Sequence, residues 1–336
     1  MRAVKTILLA TLLMYSGAVF PQDIHFSQFY NVPMVINSAS TGIFDGDWQA
    51  TAGYRNQWRS IAQPYRTLAV SFERQFYVHS HHLSGGVYIL NDNSGHVALK
   101  STQFVFSGAY HRNINNHLLH GGLQVGFMHR VVDFSDITFP AQWDPSLGQY
   151  NPLLSSGAED GDRLSYLDVG MGFIWQKKYG KLTPEAGFSL YHLNNPKESF
   201  YGADTRLPMK IGFSAAVKYD ISQSFILQPR VLVLNQAKAK DYIAGSDFGY
   251  ILAPNASGVR QVNAGVYLRN TLAGNTDAFI IMGGVVFRNF QIGISYDLNI
   301  SPLKSFTNSR GAFELTLIYR SISTVLNTFT IPCERF

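Results

Sequence analysis

The stretch WQATAGYRNQW, residues 48–58, alternates between two kinds of side chain. One face carries Trp48, Ala50, Ala52, Tyr54 and Trp58, and the other carries Gln49, Thr51, Gly53, Arg55 and Gln57. Because successive side chains of a strand point to opposite faces, this period of two predicts a strand that is apolar on one side and polar on the other. Aromatic residues near both ends of such a strand are typical of a membrane-spanning β-barrel.

Two further stretches repeat the pattern. HGGLQVGFMHR (120–130) sets Leu123, Val125 and Phe127 opposite Gln124, Gly126 and Met128. SYLDVGMGFIWQ (165–176) places Asp168 among glycines and Gln176, on the face away from Leu167, Val169, Met171, Phe173 and Trp175. A carboxylate in mid-strand is costly against lipid and tolerated in a hydrated lumen, so we expect the polar face to point inward.

The whole chain contains about fourteen such segments, each close to the roughly 9–11 residues that a tilted spanning strand needs. We therefore predict an all-β fold, a single-chain transmembrane antiparallel β-barrel of about fourteen strands, at 47–58, 66–76, 83–91, 98–110, 118–131, 164–177, 182–193, 207–219, 223–235, 240–252, 259–270, 277–287, 290–300 and 311–320. With the N-terminus in the periplasm, short turns and longer loops should alternate between strands. The longest gaps, 132–163, 194–206 and 301–310, all fall on the extracellular side. A soluble β-sandwich or a lipocalin-like domain is the competing interpretation.

The N-terminal region predicts export. Arg2 and Lys5 precede an apolar run over 7–15, which is shorter than the roughly 20 residues of a spanning helix. Small residues follow at 16–18, so residues 1–21 are expected to be a cleaved signal peptide rather than an anchor. Cys333 is the single cysteine, which excludes an internal disulfide framework and leaves a disulfide to a partner open. Lys and Arg are scattered, which argues against nucleic-acid binding.

The motifs give no sign of catalysis or of a cofactor. The sequence has no G-x-S-x-G, H-E-x-x-H or phosphate-binding loop, so we expect a non-enzymatic protein. His79, His81 and His82 have the alternation of metal ligands on a strand, but no cysteine or carboxylate is near in sequence, and a solvated turn is the simpler interpretation. The stretch LNDNSGH (90–96), with Asp92, Asn93 and Gly95, lacks the spacing and closing glutamate of a calcium loop and is expected to be a hairpin connection.

The opening QDIHFSQFYNVPMVINSASTG (22–42), followed by YRNQW (54–58), resembles the start of the PorP/SprF family of Bacteroidetes outer-membrane proteins. The family pattern usually has proline where Ile24 and Ser38 stand, but Asn37 and Gly42 agree with it. The resemblance continues in order through YRTLAVSFE, HLNNPKESF, ILQPRVLVLNQ, TDAFIIMGG, QIGISYDLNISPL and RGAFELTLIY to IPCERF. It covers essentially the whole chain after the leader.

The resemblance implies a component of the type IX secretion system, in some bacteria linked to gliding motility. It implies a secreted adhesin with a type B C-terminal sorting domain as cargo, and in some members contact with a peptidoglycan-binding periplasmic lipoprotein and the ring and motor of the system. Outer-membrane lipid would surround the barrel. A tether for the periplasmic machinery and a diffusion or uptake channel remain the alternatives.

Residues 22–46 are expected to form an N-terminal extension that enters the barrel of residues 47–320, and residues 321–336 a periplasmic tail. Phe26, Phe29 and Tyr30 have the i, i+3, i+4 spacing that places three aromatic rings on one face of a helical turn. Such a turn would pack in or beneath the periplasmic mouth, where His25, Ser27 and Gln28 would bond to polar groups of the lumen. It would be either a structural plug or a periplasmic partner site shared with the tail and Cys333.

The long loop over 132–163 is the candidate cargo surface. It carries four aromatic residues among acidic ones, Phe134, Phe139, Trp143 and Tyr150. Exposed aromatic side chains with polar surroundings are typical of interaction surfaces. A loop that folds inward and constricts the lumen is the alternative.

Overall fold

The structure, a computed structural model, describes residues 25–59, 64–79, 81–94, 99–132, 138–155, 163–199, 204–237, 239–253, 258–271, 276–302 and 304–324. Fourteen antiparallel strands form one closed barrel, which confirms the predicted fold, and β1 closes the barrel by pairing with β16. The strands of the barrel are β1 (Trp48–Gln57), β2 (Tyr65–Val78), β3 (His81–Ser94), β4 (Leu99–Ile114), β5 (His117–Val132), β8 (Arg163–Lys177), β9 (Leu182–Tyr191), β10 (Lys210–Asp220), β11 (Phe225–Gln236), β12 (Ala239–Ile251), β13 (Val259–Thr271), β14 (Thr276–Phe287), β15 (Phe290–Asn299) and β16 (Arg310–Arg320).

Short elements lie outside the wall. Two-residue strands β6 (Trp143–Asp144) and β7 (Gln149–Tyr150) form a separate hairpin in the longest loop. Helical turns occur at Phe29–Asn31, Pro33–Ile36, Ser38–Ser40, Pro140–Gln142 and Lys304–Thr307. Within the described ranges, no helix is long and apolar enough to cross a membrane.

The predicted alternation of side chains is confirmed by burial. On β5, Leu123, Val125 and Phe127 are 64%, 49% and 45% exposed on the outside of the barrel. Gln124 and Met128 between and beside them are 3% and 4% exposed on the inside. The outer surface is therefore apolar and the lumen is lined mainly by polar and small residues, as lipid around the barrel requires.

Both ends of the wall, Trp48 and Arg320, lie at the end of the barrel that carries the short turns. Asn115 and Asn116 join β4 to β5 with φ of 50° and 64°, the left-handed pair that a two-residue type I′ hairpin requires. In bacterial outer-membrane barrels the short turns face the periplasm. We call this the periplasmic end and the opposite one the extracellular end.

Several strand bounds differ from prediction, and the differences beside the loop between β9 and β10 have an identifiable reason. β9 ends at Tyr191 rather than at residue 193, because His192 adopts a left-handed φ of 60° and leaves the strand. β10 begins at Lys210 rather than at residue 207, because Leu207 is buried against Met128 and Tyr166. β8 pairs with β5 along its full length but with β9 only over Met171–Gln176. The upper half of β8 thus rises above its neighbour.

Candidate functional site

The lumen segment, residues 25–46, lies inside the barrel. Phe26, Ser27 and Thr41 are fully buried, and side chains or backbone groups of the segment contact inward-facing residues of most strands. The chain runs from the extracellular half of the lumen, where His25 lies 3.9 Å from Asp241, to the periplasmic end, where β1 begins. The side chains of Ser27 and Gln28 bond to polar lumen groups, but in the extracellular half of the lumen, so the expected location at the periplasmic mouth is wrong.

A buried cluster of charges holds the start of this segment. The Glu314 carboxylate accepts the backbone N–H groups of Ser27 and Gln28 at 2.7 and 2.8 Å, and it also pairs with Arg55. The Ser27 hydroxyl donates to Asp297 at 2.8 Å and accepts from Arg55 at 2.9 Å. Because an uncompensated buried charge costs several kcal/mol, these carboxylates and guanidinium groups require one another and the backbone of the segment.

A second arginine, Arg269 of β13, joins the cluster from the same part of the wall. Arg269 pairs with Asp297 at 3.0 Å and with Asp277 at 2.7 Å, and it donates to the Ser27 hydroxyl at 3.1 Å. The Arg269 and Asp297 side chains are 3% and 0% exposed. Ser27 therefore lies between two arginines that the barrel wall supplies from β1 and β13.

The three aromatic residues that were predicted to share one face, Phe26, Phe29 and Tyr30, point to opposite sides of the lumen. Phe26 packs with Val32, Met34 and apolar residues of β2, β3 and β4. Phe29 packs with residues of β11 to β14, together with Tyr30. The prediction of one aromatic face is wrong, because only Phe29–Asn31 forms a helical turn and Phe26 lies before it in a different direction.

Tyr30 belongs to a polar network on the β11–β13 wall. Its hydroxyl donates to Asp247 at 3.0 Å, and the Arg230 guanidinium carbon lies 3.8 Å from its ring centroid. Asp247 also pairs with Arg230 at 3.0 Å and accepts from the Tyr267 hydroxyl at 2.6 Å. The hydrogen bond from the Tyr30 hydroxyl to Asp247 and the Arg230 guanidinium group stacked on the Tyr30 ring together fix the position of this side chain.

Inward-facing glycines let the segment approach the wall closely. A Cβ at Gly122 would lie 2.4 Å from the backbone of Ser38 and Ala39, and one at Gly172 would lie 1.9 Å from the Asn37 amide oxygen. Real Cβ atoms do not approach other heavy atoms so closely, so a side chain there would displace the segment. On β5 and β8, glycine is therefore needed so that the lumen segment can lie against the wall.

Asn37 connects the segment to the least-paired part of the wall. Its side-chain N–H group donates to the carbonyl oxygens of Phe173 on β8 and Phe188 on β9, at 3.2 and 3.1 Å. Those two residues face each other across the short β8–β9 ladder. The segment therefore bridges the two strands where few bonds between them exist.

Cavities remain below the segment, in the periplasmic half of the lumen. One of about 370 Å³ is lined by amide side chains such as Gln228 and Gln291, and one of about 680 Å³ reaches His82 and His120. Both are lined in part by Lys218 and Arg320. Empty space thus extends from the periplasmic end up to the segment.

The extracellular mouth is narrowed by the loop between β9 and β10. Leu207 is 1% exposed and packs against Met128 and Tyr166 on the inner faces of β5 and β8. Glu198 of the same loop forms a half-buried ion pair with Arg130. Inward folding was considered only for the longer loop, between β5 and β8, and this contribution of the β9–β10 loop was not predicted.

The described part of the longest loop exposes two of the four candidate aromatic residues. Trp143 and Tyr150 face each other across the β6–β7 hairpin, with ring centroids 5.2 Å apart, and are 46% and 47% exposed. Phe139 precedes the hairpin and is partly buried. Phe134 lies outside the described residues, as does Cys333.

The histidines form contacts with one another rather than a metal centre. The His82 and His111 rings are 4.4 Å apart, and His111 Nδ1 lies 2.6 Å from His120 Nδ1. Within the described ranges, no group of three or more His, Cys, Asp or Glu side chains has the arrangement to hold a metal ion. Asp92 accepts from Thr67 at 2.6 Å and lies on β3, so it belongs to a strand and not to a loop.

The sequence matches the family described as type IX secretion system membrane protein PorP/SprF over residues 18–319. No match is found among curated proteins. Among solved structures, the Ralstonia pickettii toluene transporter TbuX superposes with a TM-score of 0.50 and 9% identity, covering 87% of this chain and 94% of that one. The CymD monoaromatic hydrocarbon channel gives 0.51 and 12%, over 91% and 95% of the two chains.

At these identities the two channels show a shared barrel fold and nothing about transport. The family match spans nearly all of the chain, the barrel closes as an outer-membrane barrel does, and the resemblance in the opening residues falls on the segment inside the lumen. The chain belongs to the PorP/SprF family of type IX secretion system membrane proteins.

Proposed function

We propose that this outer-membrane component of the type IX secretion system binds the type B C-terminal domain of a large secreted adhesin and anchors it at the cell surface. The attachment is non-covalent and serves gliding motility in bacteria that glide. The protein acts as a receptor and not as an enzyme or a pore. Its periplasmic end is free to contact a peptidoglycan-binding lipoprotein and the ring and motor proteins.

The observation that carries this proposal is the occupied lumen. The lumen segment is locked by Glu314 and Asp297, and the β9–β10 loop narrows the mouth above it with Leu207. A diffusion channel needs a continuous hydrated path, which here would require breaking a buried ion cluster. The extracellular surface is then the part of the molecule that is left to bind cargo.

The upper edge of β8 offers backbone groups to such a cargo. Leu193 N–H donates to the Val169 carbonyl at 3.0 Å, and Asn194 bonds to Val169 N–H and the Leu167 carbonyl at 3.2 and 2.6 Å. Since both backbone groups of a strand residue point to the same side, those of Arg163 and Ser165 point to the same side as those of Val169, away from β5. No described residue bonds to them there. An extended segment of the cargo could add to this edge as a further strand.

The position of this edge relative to lipid favours a water-soluble partner. Leu167 is 58% exposed on the outer face of β8, whereas the outward residues above it are Arg163 and Ser165. The Ser165 hydroxyl bonds to outward-facing His129 of β5 at 2.8 Å. The apolar belt thus ends near Leu167, and the free edge lies above it. The exposed Trp143–Tyr150 pair supplies aromatic surface on the same side of the membrane.

The tether interpretation has an observation of its own. Lys218 and Arg320 line cavities that open toward the periplasm, so a periplasmic partner would meet cations there. A tether would need the periplasmic turns and tail, and would be insensitive to changes in β8 and in the longest loop.

The test is purification from the native outer membrane in mild detergent, with identification of every retained protein. We expect a stoichiometric secreted protein that is lost when its own C-terminal domain is deleted. Ser165→Pro should reduce its retention about tenfold, because proline removes an N–H group of the free edge while the β5–β8 ladder does not use that group. Ser165→Ala is the matched control and should retain it.

Trp143→Ala combined with Tyr150→Ala should also reduce retention. If only periplasmic proteins co-purify, the tether explanation replaces ours. If the barrel comes out alone and conducts ions in planar bilayers, the channel explanation does.

A further inference from the structure

The periplasmic turn between β8 and β9 is unusually basic. It reads QKKYGK over residues 176–181, with Lys177 at the end of β8 and Lys178 and Lys181 in the turn. Lys178 and Lys181 are exposed, and no ion pair joins any of the three lysines to a described carboxylate. Glu185, the nearest acidic residue along β9, bonds to Gln176 at 2.5 Å.

The side chains place this turn at the edge of the lipid belt. Leu167, Met171 and Phe173 form an outward row on β8 and are 58%, 42% and 45% exposed. Alternation continues that row with Trp175 and then Lys177. A tryptophan followed by a lysine at the end of an apolar row is the arrangement found where acyl chains give way to headgroups.

Lys177 takes part in a contact with more donors than acceptors. Its ammonium nitrogen lies 2.8 Å from His117 Nε2, while the Trp175 indole N–H lies 2.8 Å from His117 Nδ1. Indole and ammonium groups only donate hydrogen bonds, and a neutral imidazole has one accepting nitrogen and one N–H. One of these two contacts therefore brings two donors together. An anionic oxygen beside Lys177 would accept the hydrogen bond that the protein leaves without an acceptor.

Tyr179 holds the ammonium group in place. The Lys177 nitrogen lies 4.7 Å from the centroid of the Tyr179 ring, within the range of a cation–π interaction. The turn is also fastened to the next one, because Lys181 carbonyl accepts from Asp220 N–H at 2.9 Å and the Lys181 ammonium donates to the Ile221 carbonyl at 3.1 Å. The positive charges are thus carried on a supported turn.

We propose that Lys177, Lys178 and Lys181, with His117 and Trp175, form a binding site for the phosphate headgroup of an anionic phospholipid in the periplasmic leaflet. The phosphate oxygens accept hydrogen bonds from the Lys177 ammonium group and from the imidazole N–H that remains when His117 accepts from Trp175. The other two lysines add positive charge. The acyl chains lie along the outward row above. The site is separate from the lumen and from the cargo surface, so it does not depend on the proposed function.

The test uses the full-length barrel in detergent, with bound lipid counted by native mass spectrometry during titration with cardiolipin, phosphatidylglycerol or phosphatidylethanolamine. We expect the anionic lipids to bind at least about tenfold more tightly than phosphatidylethanolamine, and salt near about 1 M to abolish the difference. The triple variant Lys177→Gln, Lys178→Gln, Lys181→Gln should lose that preference. The charge-matched control Lys100→Gln, Lys197→Gln, Lys304→Gln, at the extracellular end, should keep it.

Each other outcome overturns the proposal. Equal binding of anionic and zwitterionic lipids, or an equal loss in both triple variants, would mean that no specific site exists at this turn. Competition by inorganic phosphate at the same concentration as the lipid would identify a free anion as the ligand. Heat-modifiable migration in gels checks that both variants are folded barrels, and Lys177→Arg, which retains the charge, should bind as the unchanged protein does.

Discussion

Glu314→Gln should release the lumen segment without opening the barrel. The carboxylate is fully buried and bonds to two backbone N–H groups of the segment and to Arg55. Glutamine has the same shape, but its single carbonyl oxygen can accept only part of these bonds. Its amide N–H₂ group would then face another donor.

The expected cost of Glu314→Gln depends on which ion pairs of Arg55 remain. Breaking a buried ion pair costs about 3–5 kcal/mol, and the lower end applies because Arg55 retains Asp297 at 3.3 Å. The barrel wall pairs through its own ladders, so the cost is relieved when the segment leaves and water enters. About 3 kcal/mol corresponds to an increase of about 100-fold in the released fraction.

The assay is thiol labelling of a buried position in the segment. With Cys333→Ser as background, Ser38→Cys places one thiol at a residue that is fully buried. Its labelling rate by a membrane-impermeant maleimide reports the fraction of molecules in which the segment has left the lumen. Glu185→Gln is the matched control, because this lumen carboxylate bonds to Gln176 of the wall.

Ser27→Ala separates the segment from the wall. It removes only the hydroxyl that bonds to Asp297, Arg55 and Arg269, and should raise labelling about tenfold. If Glu314→Gln and Ser27→Ala both label at the unmodified rate in folded barrels, the charge cluster does not hold the segment. An occupied lumen would then no longer distinguish this receptor from a diffusion channel.

Three further predictions concern packing, charge and pH. Gly122→Ala should lower the free energy of unfolding in denaturant titrations by about 1–3 kcal/mol through overpacking, because its Cβ would meet Ser38 and Ala39, whereas Gly121→Ala, with nothing within 4 Å, should have no effect. Arg269→Met should cost about 3–5 kcal/mol in the same titration, whereas Lys197→Met, in a pair that is 68% and 71% exposed, should cost less than about 0.5 kcal/mol. The Thr324 hydroxyl and backbone N–H hold the pKa of Asp47 below its ordinary value, so the Thr324 amide should exchange more slowly than its intrinsic rate above that pKa and lose this protection as pH falls through it, a change that Asp47→Asn should remove.

The barrel could be predicted because the alternation of apolar and polar side chains is visible within each strand's own sequence. Alternation within about ten residues is enough to distinguish a lipid-facing side chain from a lumen-facing one, as Leu123 and Gln124 show. The predicted strand ends were wrong where contacts with other parts of the barrel draw the chain out of the hydrogen-bonded ladder. Leu207 continues the pattern of β10 in sequence, yet it turns inward to fill the space beside Met128 and Tyr166.

The candidate site was predicted only in part, because its bonds join residues far apart in sequence. Ser27 and Glu314 are separated by 287 residues, and the segment contributes backbone N–H groups, which every residue has. The sequence of the barrel strands did contain a signal that something occupies the lumen. Arg55, Arg269 and Asp297 occupy inward positions of alternating strands, where a buried charge needs a partner, and Gly122 and Gly172 stand at inward positions as well.

The lumen segment and the free edge of β8 both adjoin the short ladder between β8 and β9, which we call the seam. Asn37 bonds to the carbonyl groups of Phe173 and Phe188, just below Met171, where pairing with β9 ends. If a cargo strand added above this point tightens the seam, it favours the docked segment, and linkage then requires that the docked segment favour the cargo by the same factor. Labelling of Ser38→Cys should therefore slow when the co-purified partner is bound, and Glu314→Gln should weaken retention of that partner. Asn37→Ala should remove both effects, whereas Ser165→Pro should weaken binding of the partner and leave labelling of the free protein unchanged. Equal labelling with and without partner would make Asn37 a brace of the wall with no part in reporting cargo to the lumen.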